Sequence, residues 1–510
     1  MTEQELLDCL RLLEALVDDR SGLAALDLET RNRFLMAAGR LSRPERNEQR
    51  LLARALGKQK KKRKRDADEA VLARTGIRRK RLEPVFVTPD PLLLAAAAGG
   101  ASSPSERAER DEGWESPELH DPRVCYVCKK PCPVVHFFYD QMCRECGDFN
   151  YGKRSQTADL RGRVALISGA RVKIGYQAAI LLLRAGARVL VTTRFPRDAA
   201  ERYAREADFE DFRDRLQIYG LDLRHTPSVE AFARHVEHTE SRLDFMLHNA
   251  CQTVRRPPGF YQHLMSGELG PVSALSPAAQ PLVRDYEAMR VESRRRLAER
   301  RGPATLAVGL EASAALSQVA LQEEDIATNG ALFPTGALDA DLQQVDLRDV
   351  NSWRLPLDRV GTVELLEVQL VNAIAPFVLN ARLRGLMRKD VTGDKHIVNV
   401  SAMEGQFYRR FKTDKHPHTN MAKAALNMMT RTSAPDYLRD GIHMNSVDTG
   451  WVTDEDPAHI AARKTAENGF HPPLDIVDGA ARIVDPIFDG INTGSHVWGQ
   501  FLKDYRPAPW

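Results

Sequence analysis

Short apolar runs alternate with longer amphipathic stretches over residues 160–254 and 360–510. The runs "RVALISGA", "RVLVTTR" and "LDFMLHNA" indicate buried strands, and "GYQAAILLLRAG" indicates a helix with one apolar face. Apolar strands that alternate with helices predict a parallel sheet covered on both faces. The expected fold is therefore α/β with a doubly wound parallel sheet, which binds ligands beyond the carboxyl ends of its strands.

The chain before this region has a different character. Residues 1–82 carry leucines at helical spacing and two basic runs, "KQKKKRKR" (58–65) and "RRKR" (78–81), with Gly57 expected to end a helix. Such runs bind a polyanion or a protein, or act as a nuclear address, or are simply a solvated segment. Residues 83–120 have the Pro, Ala, Gly and Ser content of a linker.

A cysteine-rich segment at 121–155 follows the linker. Two C-x2-C pairs are separated by fourteen residues, and two such turns complete a tetrahedral zinc site. Four thiolates close the coordination sphere, so one structural zinc ion is expected. Cys132 and His136 lie between the pairs as surplus candidates. The predicted ligands are Cys125, Cys128, Cys143 and Cys146.

Length and charge set broad limits. A chain of 510 residues predicts two or three folded units, and a net charge of +3 excludes little. No apolar run reaches the roughly 18 residues that span a bilayer. The N-terminus is acidic and amphipathic, unlike a signal peptide. A cytoplasmic protein without a membrane segment is expected, with a nuclear location open in a eukaryote.

The first predicted strand ends in "SGARVKIG", a glycine-containing turn before a helix. Backbone N–H groups in such a turn and at the helix N-terminus face a pyrophosphate. With the motifs that follow, the sequence resembles the short-chain dehydrogenase/reductase family, which has a Rossmann fold. Lys173 replaces the middle glycine of the family's T-G-x-x-x-G-x-G. The other positions that match the motif are Ser168, Gly169, Ile174 and Gly175.

The resemblance implies further cofactor contacts. Asp222 and Leu223 in "LDL" match the segment facing adenine, and Asn249 and Ala250 match the family's N-N-A-G. The segment "VNSVDTGWVTD" matches through Thr449, Gly450 and Thr453.

The second strand ends at Arg194 without an acid, and Arg171 lies in the first loop. Two guanidiniums suit a ribose 2′-phosphate, whereas an acid would favour a free hydroxyl. NADP is therefore predicted over NAD.

The catalytic positions are only partly kept. In the family a serine, an asparagine and a lysine act with a tyrosine that supplies the proton. Asn372, Ser401 and Lys423 match, but the tyrosine position is Thr419, whose hydroxyl is too weak an acid. Thr419 is interpreted as a helix N-cap.

The loop before Thr419 is longer than in the family and offers Tyr408 and His418 as replacement proton donors. Its basic residues, among them Arg409 and Arg410, face an anionic substrate or water.

Two functions remain open from the sequence. One is an NADP-dependent oxidoreductase acting on a carbonyl or alcohol, with displaced acid–base chemistry. The other is a catalytically silent NADP-binding sensor or scaffold that works through the cysteine segment and the basic run. A large insertion at about 255–360 is expected beside the substrate entrance. The family's paired helices imply a homodimer through 362–388 and 419–437.

Overall fold

The computed structural model describes residues 2–90, 118–299, 312–326, 331–408 and 412–510. The chain forms two compact units, Met1–Glu69 and Ala70–Trp510. Most of the predicted linker at 83–120 lies outside the described residues.

The first unit is helical, as the leucine spacing predicts. Helices α1 and α2 are capped by Thr2 and Asp27, whose side chains accept backbone N–H groups of the first turn. α3 continues through Gly57, so the predicted stop there is wrong. A helix tolerates one glycine at a cost of about 1 kcal/mol when its neighbours are strong helix formers. The helices are α1 (Glu3–Asp18), α2 (Leu28–Ser42) and α3 (Arg46–Ala73).

A small cysteine module opens the second unit. It contains α4 (Gly76–Lys80), the antiparallel strands β1 (Arg123–Val124) and β2 (Pro131–Cys132), and α5 (Arg144–Arg154). The basic run at 78–81 is partly structural. Arg78 is buried in an ion pair with Asp140, and Arg81 donates to backbone carbonyls of Pro472 and Leu474.

An eight-stranded sheet organises the rest of the second unit. Its order is β10-β9-β8-β7-β6-β3-β4-β5, and all neighbours are parallel except β10 and β9. β3 pairs with both β4 and β6, so the strand order reverses beside β3. The strands are β3 (Val164–Ser168), β4 (Arg188–Thr193), β5 (Leu216–Gly220), β6 (Phe245–His248), β7 (Lys395–Ser401), β8 (Ile442–Asp448), β9 (Phe501–Lys503) and β10 (Arg506–Ala508).

Helices cover both faces of the sheet, and two apolar clusters form the core. One cluster includes the helices Lys173–Arg184 and Ile476–Thr493. The other includes the helices Thr226–Thr239, Ala375–Arg388 and Pro417–Leu438. The doubly wound fold is confirmed. The helices of this region are α6 (Lys173–Arg184), α7 (Pro196–Tyr203), α8 (Phe209–Phe212), α9 (Thr226–Thr239), α10 (Pro258–Leu269), α11 (Arg284–Glu299), α12 (Glu323–Ile326), α13 (Thr362–Gln369), α14 (Ala375–Arg388), α15 (Pro417–Leu438), α16 (Ala458–Asn468) and α17 (Ile476–Thr493).

The insertion lies between β6 and α13 and contains α10, α11 and α12. α13 and α14 are joined by one π-helical turn, Leu370–Ile374, ahead of Pro376. Such turns within α-helices are frequent at functional sites. In the described part of the chain, Thr362–Arg388 is long and apolar enough to cross a membrane, with 39% of its most apolar window buried. This is weak evidence, because core helices pass the same test.

Candidate functional site: a cavity at the carboxyl edge of the sheet

The turn after β3 has the backbone of a phosphate-binding loop. Gly169 has φ +70°, and Lys173 has φ +57°, the left-handed conformation that a glycine adopts without strain. At Gly175 a Cβ would lie 2.2 Å from the side-chain nitrogen of Asn249 and 2.4 Å from the carbonyl oxygen of Gly169. The lysine thus keeps the glycine's conformation, and Gly175 permits the close packing of helix on strand.

A cavity of about 660 Å³ lies at this edge of the sheet. The insertion supplies part of its wall, including Tyr261 and Gln343. Ser168, Thr449, Gly450 and Lys423 are not among the lining residues. Of the predicted cofactor positions, the cavity is lined by Gly169, Arg171, Lys173, Ile174, Gly175, Arg194, Asp222, Leu223, Asn249, Ala250 and Thr453.

Two positions hold the floor of the cavity together. The Asn249 side chain donates to the Gly169 carbonyl at 2.9 Å, and the Ser168 hydroxyl accepts the Ala250 N–H at 3.1 Å. These bonds tie the end of β6 to the turn after β3. Ser168 therefore supports the loop from behind.

Three cations line the cavity near the end of β4. Arg194 donates to the hydroxyl of Tyr261 at 2.6 Å and lies over that ring. Arg171 is paired with Asp198 at 2.6 Å, and Lys173 lies 4.0 Å from Asp341 of the insertion. Among the described residues, no carboxylate lies within ion-pair distance of Arg194. Its charge is therefore the least neutralised of the three.

A buried ion-pair network, not predicted from the sequence, runs behind Asp222. The Arg224 guanidinium donates hydrogen bonds to both carboxylate oxygens of Asp222 and also pairs with Glu367 at 2.8 Å. Glu367 pairs in turn with Arg255, which binds Asp325 through both of its terminal nitrogens. Burial of Asp222 opposes its ionisation, but the hydrogen bonds from Arg224 outweigh this and lower the pKa of that carboxyl.

The sequence contains one signal for this network, since Arg224 follows "LDL" directly. Arg255, Asp325 and Glu367 are brought together from distant parts of the chain, two of them in the insertion. No local pattern joins them.

The residues matching the catalytic positions are buried behind the cavity. Asn372 exchanges hydrogen bonds with the backbone of Gln252, which lines the cavity. The Lys423 ammonium donates to the Val400 carbonyl at 2.7 Å, and the Ser401 hydroxyl is buried without a hydrogen-bond partner among the described residues. All three are at most 4% exposed.

Thr419 lies in the third position of α15, not at its N-cap. The N-cap is His416, with φ +43°, so the capping interpretation is wrong. Pro417 at the first helical position accounts for the earlier start, because its fixed φ suits a helix. The Thr419 hydroxyl is buried, and in the part of the chain that the structure describes it has no hydrogen-bond partner.

The two candidate proton donors lie in different surroundings. Tyr408 is 94% exposed, whereas Ser401 and Lys423 are buried. His418 is buried, with Nε2 3.6 Å from a carboxylate oxygen of Glu364. Burial of Glu364 opposes its ionisation, but the polar contacts with His418 and Ser352 outweigh this and lower the pKa of the carboxyl. Arg409 and Arg410 lie outside the described residues.

The long loop before α15 is anchored to the end of the insertion. His416 stacks on Trp353 at a ring distance of 3.8 Å and bonds to its carbonyl. At the other end of the loop, Gly405 packs so closely on α15 that a Cβ would lie 2.8 Å from the Lys423 carbonyl oxygen. The loop thus covers the Lys423 turn of the helix.

The four predicted metal ligands form one cluster. The sulfurs of Cys125, Cys128, Cys143 and Cys146 all lie within 4.8 Å of one another. Zn–S bonds of about 2.3 Å place the sulfurs of a tetrahedron about 3.8 Å apart, and the Cys128 and Cys143 sulfurs are 3.9 Å apart. The donor set and its spacing therefore fit a zinc ion.

His136 is engaged elsewhere. Its Nδ1 accepts backbone N–H groups and its Nε2 contacts Asp148.

Two family models match the chain on either side of the insertion. The model described as short chain dehydrogenase matches residues 163–263. The model described as enoyl-(acyl carrier protein) reductase matches residues 356–472. An uncharacterized protein of Acanthamoeba polyphaga mimivirus is 30% identical over 397 residues, which is 75% of this chain and 74% of that protein.

The chain belongs to the short-chain dehydrogenase/reductase family. Another relative in this family is dehydrogenase/reductase SDR family member 13 of Bos taurus. It is 37% identical over 118 residues, 22% of this chain and 30% of that protein. Mouse retinol dehydrogenase 11 is 32% identical over 123 residues, 23% of this chain and 39% of that protein. The chain thus spans well under half of these two relatives.

Solved structures overlap much of the chain at low identity. One is the Pseudomonas aeruginosa RhlG/NADP active-site complex, with a TM-score of 0.41 and 16% identity, over 68% of this chain and 95% of that one. Another is the carbonyl reductase Sniffer of D. melanogaster, with a TM-score of 0.40 and 15% identity, over 69% of this chain and 100% of that one.

Proposed function

We propose that this chain is an NADP-dependent oxidoreductase of the short-chain type that acts on a small carbonyl or alcohol substrate. The observation that carries the proposal is Arg194 at the end of β4, a cation lining the cavity where an NAD-specific site would place an acid. Arg171 and Lys173 add positive charge at the same end. A dianionic 2′-phosphate and a pyrophosphate match these groups.

The residues divide between binding the dinucleotide and carrying out the reaction. Arg194 and Arg171 bind the 2′-phosphate, and the turn from Gly169 to Gly175 holds the pyrophosphate against the N-terminus of α6. Bound NADPH supplies the hydride. Ser401 holds the substrate oxygen, and Lys423 stabilises the proton-donating group. His418 or Tyr408 supplies the proton in place of the family's tyrosine.

The loop at 402–416 must move for this chemistry. Ser401 and Lys423 lie behind the cavity wall, and Tyr408 faces solvent. Displacing the loop from α15 would open Ser401 to the cavity and let Tyr408 approach it. His418 needs a smaller movement, because it is already buried beside Thr419 in α15.

A carbonyl screen with NADPH tests the activity. We expect NADPH oxidation with at least one aldehyde or ketone, and its loss in Lys423→Ala. Tyr408→Phe and His418→Gln separate the donors, since only the true donor's variant loses the pH dependence of turnover. Retained turnover in Lys423→Ala would contradict the assigned chemistry.

A second function is favoured by one observation. The cavity reaches Gln252 but stops short of Ser401, and the hydroxyl at the family's tyrosine position belongs to a threonine. A chain that binds NADP(H) without turning it over fits this arrangement. In that case Lys423→Ala, like the wild type, does not turn NADPH over, and it binds NADPH largely as the wild type does. Arg194→Ala still weakens binding.

We further propose that the cysteine cluster holds one structural zinc ion. Metal analysis of the purified chain should give one zinc per chain, which Cys143→Ser should abolish. Cys132→Ser is the matched control, because Cys132 is buried nearby but lies outside the cluster. Zinc retained in Cys143→Ser would contradict the assignment.

Two contacts with other molecules complete the proposal. The basic run at 58–65 lies exposed on α3 and would bind a polyanion or an acidic protein. A homodimer would form through α13–α15, where Leu366, Phe377, Met421 and Met428 are more than half exposed.

A further inference from the structure

The cysteine module and the dinucleotide cavity share a wall. Cys125 of the metal cluster packs in one apolar cluster with Val452 and Ile476, and Ile174 packs against that cluster. Ile174 and Ile476 also line the cavity. One apolar cluster therefore connects the metal ligands to the wall of the dinucleotide cavity.

Tyr126, next to the ligand Cys125, reaches the turn after β8. Its hydroxyl accepts the backbone N–H of Trp451 at 3.0 Å. Gly450, with φ +76°, is packed so tightly that a Cβ would lie 2.4 Å from Leu474 and 3.1 Å from the Tyr126 hydroxyl. The module thus fixes the conformation of the segment leading to Thr453, which lines the cavity.

A second set of bonds holds the start of α17 to the module. The Tyr139 hydroxyl donates to Asp478 at 2.6 Å, and Arg154 donates to both oxygens of Asp475 at 2.7 and 3.0 Å. Tyr139, Arg154 and Asp478 are buried, and the Asp475 side chain is only 12% exposed. Because unpaired buried charges are costly, the module and α17 cannot separate without a large loss of stability.

We propose that the cysteine module is part of the dinucleotide site, with Tyr126 as the positioning residue that couples metal occupancy to NADP(H) affinity. The inference rests on the proposed dinucleotide binding. Metal binding fixes the backbone on both sides of Tyr126, Tyr126 holds Trp451, and the 449–453 segment is thereby preorganised for the ligand. By linkage, the dinucleotide must stabilise the bound metal by the same factor.

Two linked measurements test this coupling. NADPH binding is measured by calorimetry on the zinc-loaded full chain and on Tyr126→Phe, each checked for zinc content. Tyr126→Phe removes only the hydroxyl, so we expect zinc to be retained and the Kd for NADPH to rise about three- to tenfold. Saturating NADPH should slow zinc transfer to a colorimetric chelator in the wild type, and much less in Tyr126→Phe. A merely structural tyrosine would not change that second quantity.

Hydrogen exchange locates the effect without any dinucleotide. The amides of residues 449–455 should exchange faster in Tyr126→Phe than in the wild type, while those of β4 stay unchanged. Tyr437→Phe is the control, because its hydroxyl also bonds to the backbone, here by donating to the carbonyl of Asn380, on the other face of the sheet. It should change neither the Kd nor exchange at 449–455.

The outcomes separate the two proposals. A wild type that binds no NADPH overturns the proposed function and the coupling with it. A wild type that binds NADPH, with Kd and zinc transfer unaltered in a zinc-loaded Tyr126→Phe, overturns only the coupling.

Discussion

Arg194 should decide which dinucleotide the chain prefers. The change is Arg194→Ala, which removes the guanidinium that lines the cavity and keeps the backbone of β4. The Tyr261 hydroxyl loses its hydrogen-bond donor in this variant. Because Tyr261 lies at the cavity wall, water takes the place of the guanidinium. The fold should therefore persist.

The magnitude follows from the charges around Arg194. Asp198 already neutralises Arg171 at 2.6 Å, whereas the described partner of Arg194 is an uncharged hydroxyl. A hydrogen bond to a charged group contributes roughly 1.5–3 kcal/mol. The Kd for NADPH should therefore rise roughly 10- to 150-fold. The Kd for NADH, which lacks the 2′-phosphate, should change less than about threefold.

Calorimetric titration with both dinucleotides measures the two constants. Arg213→Ala is the matched control, because it removes an arginine paired on the surface with Glu210 and far from the cavity. The ratio of the two Kd values is the decisive quantity, since it cancels any general loss of stability. If Arg194→Ala weakens NADPH and NADH equally, Arg194 does not bind the 2′-phosphate.

Three further predictions concern stability and assembly. Thr419→Val should leave the free energy of unfolding unchanged or raise it by up to about 1 kcal/mol, because the buried hydroxyl has no hydrogen-bond partner within the described ranges; a large loss in urea denaturation would show a hidden contact. Burial lowers the pKa of His248 to about 4, so the stability it confers is present above pH ~6.5 and lost as pH falls towards 4. Relative to His248→Asn, the wild type should lose roughly 2 kcal/mol between pH 7 and pH 5, and parallel pH profiles would refute this. Phe377→Glu should convert a dimer to a monomer in light scattering, and an unchanged mass would place the contact elsewhere.

The sheet was predictable because its strands are apolar on both faces. The runs that became β3, β4 and β6, "VALIS", "RVLVTT" and "FMLH", are mainly apolar, and a parallel sheet buries such runs. The turn after β3 was equally readable, since the conformation required at Gly169 and Lys173 is local. Short-range patterns thus specified both the strands and the phosphate loop.

The surroundings of the site were not predictable in the same way. Arg255, Asp325 and Glu367 meet only because the insertion folds back over the sheet, and no spacing along the chain encodes that meeting. The position of the long loop was also beyond the sequence. His416 at the end of the loop stacks on Trp353, 63 positions away along the chain, and Tyr408 is left exposed to solvent.

The contacts of the insertion with Arg194 and Arg171 bear on how fast a dinucleotide can leave. The Tyr261 hydroxyl accepts from Arg194 and the Gln343 carbonyl oxygen accepts from Arg171, so the insertion contacts both groups proposed to bind the 2′-phosphate. If these contacts close over a bound dinucleotide, its departure requires the insertion to move first. We expect such a chain to retain its dinucleotide through purification, with release slower than binding equilibrium alone would suggest.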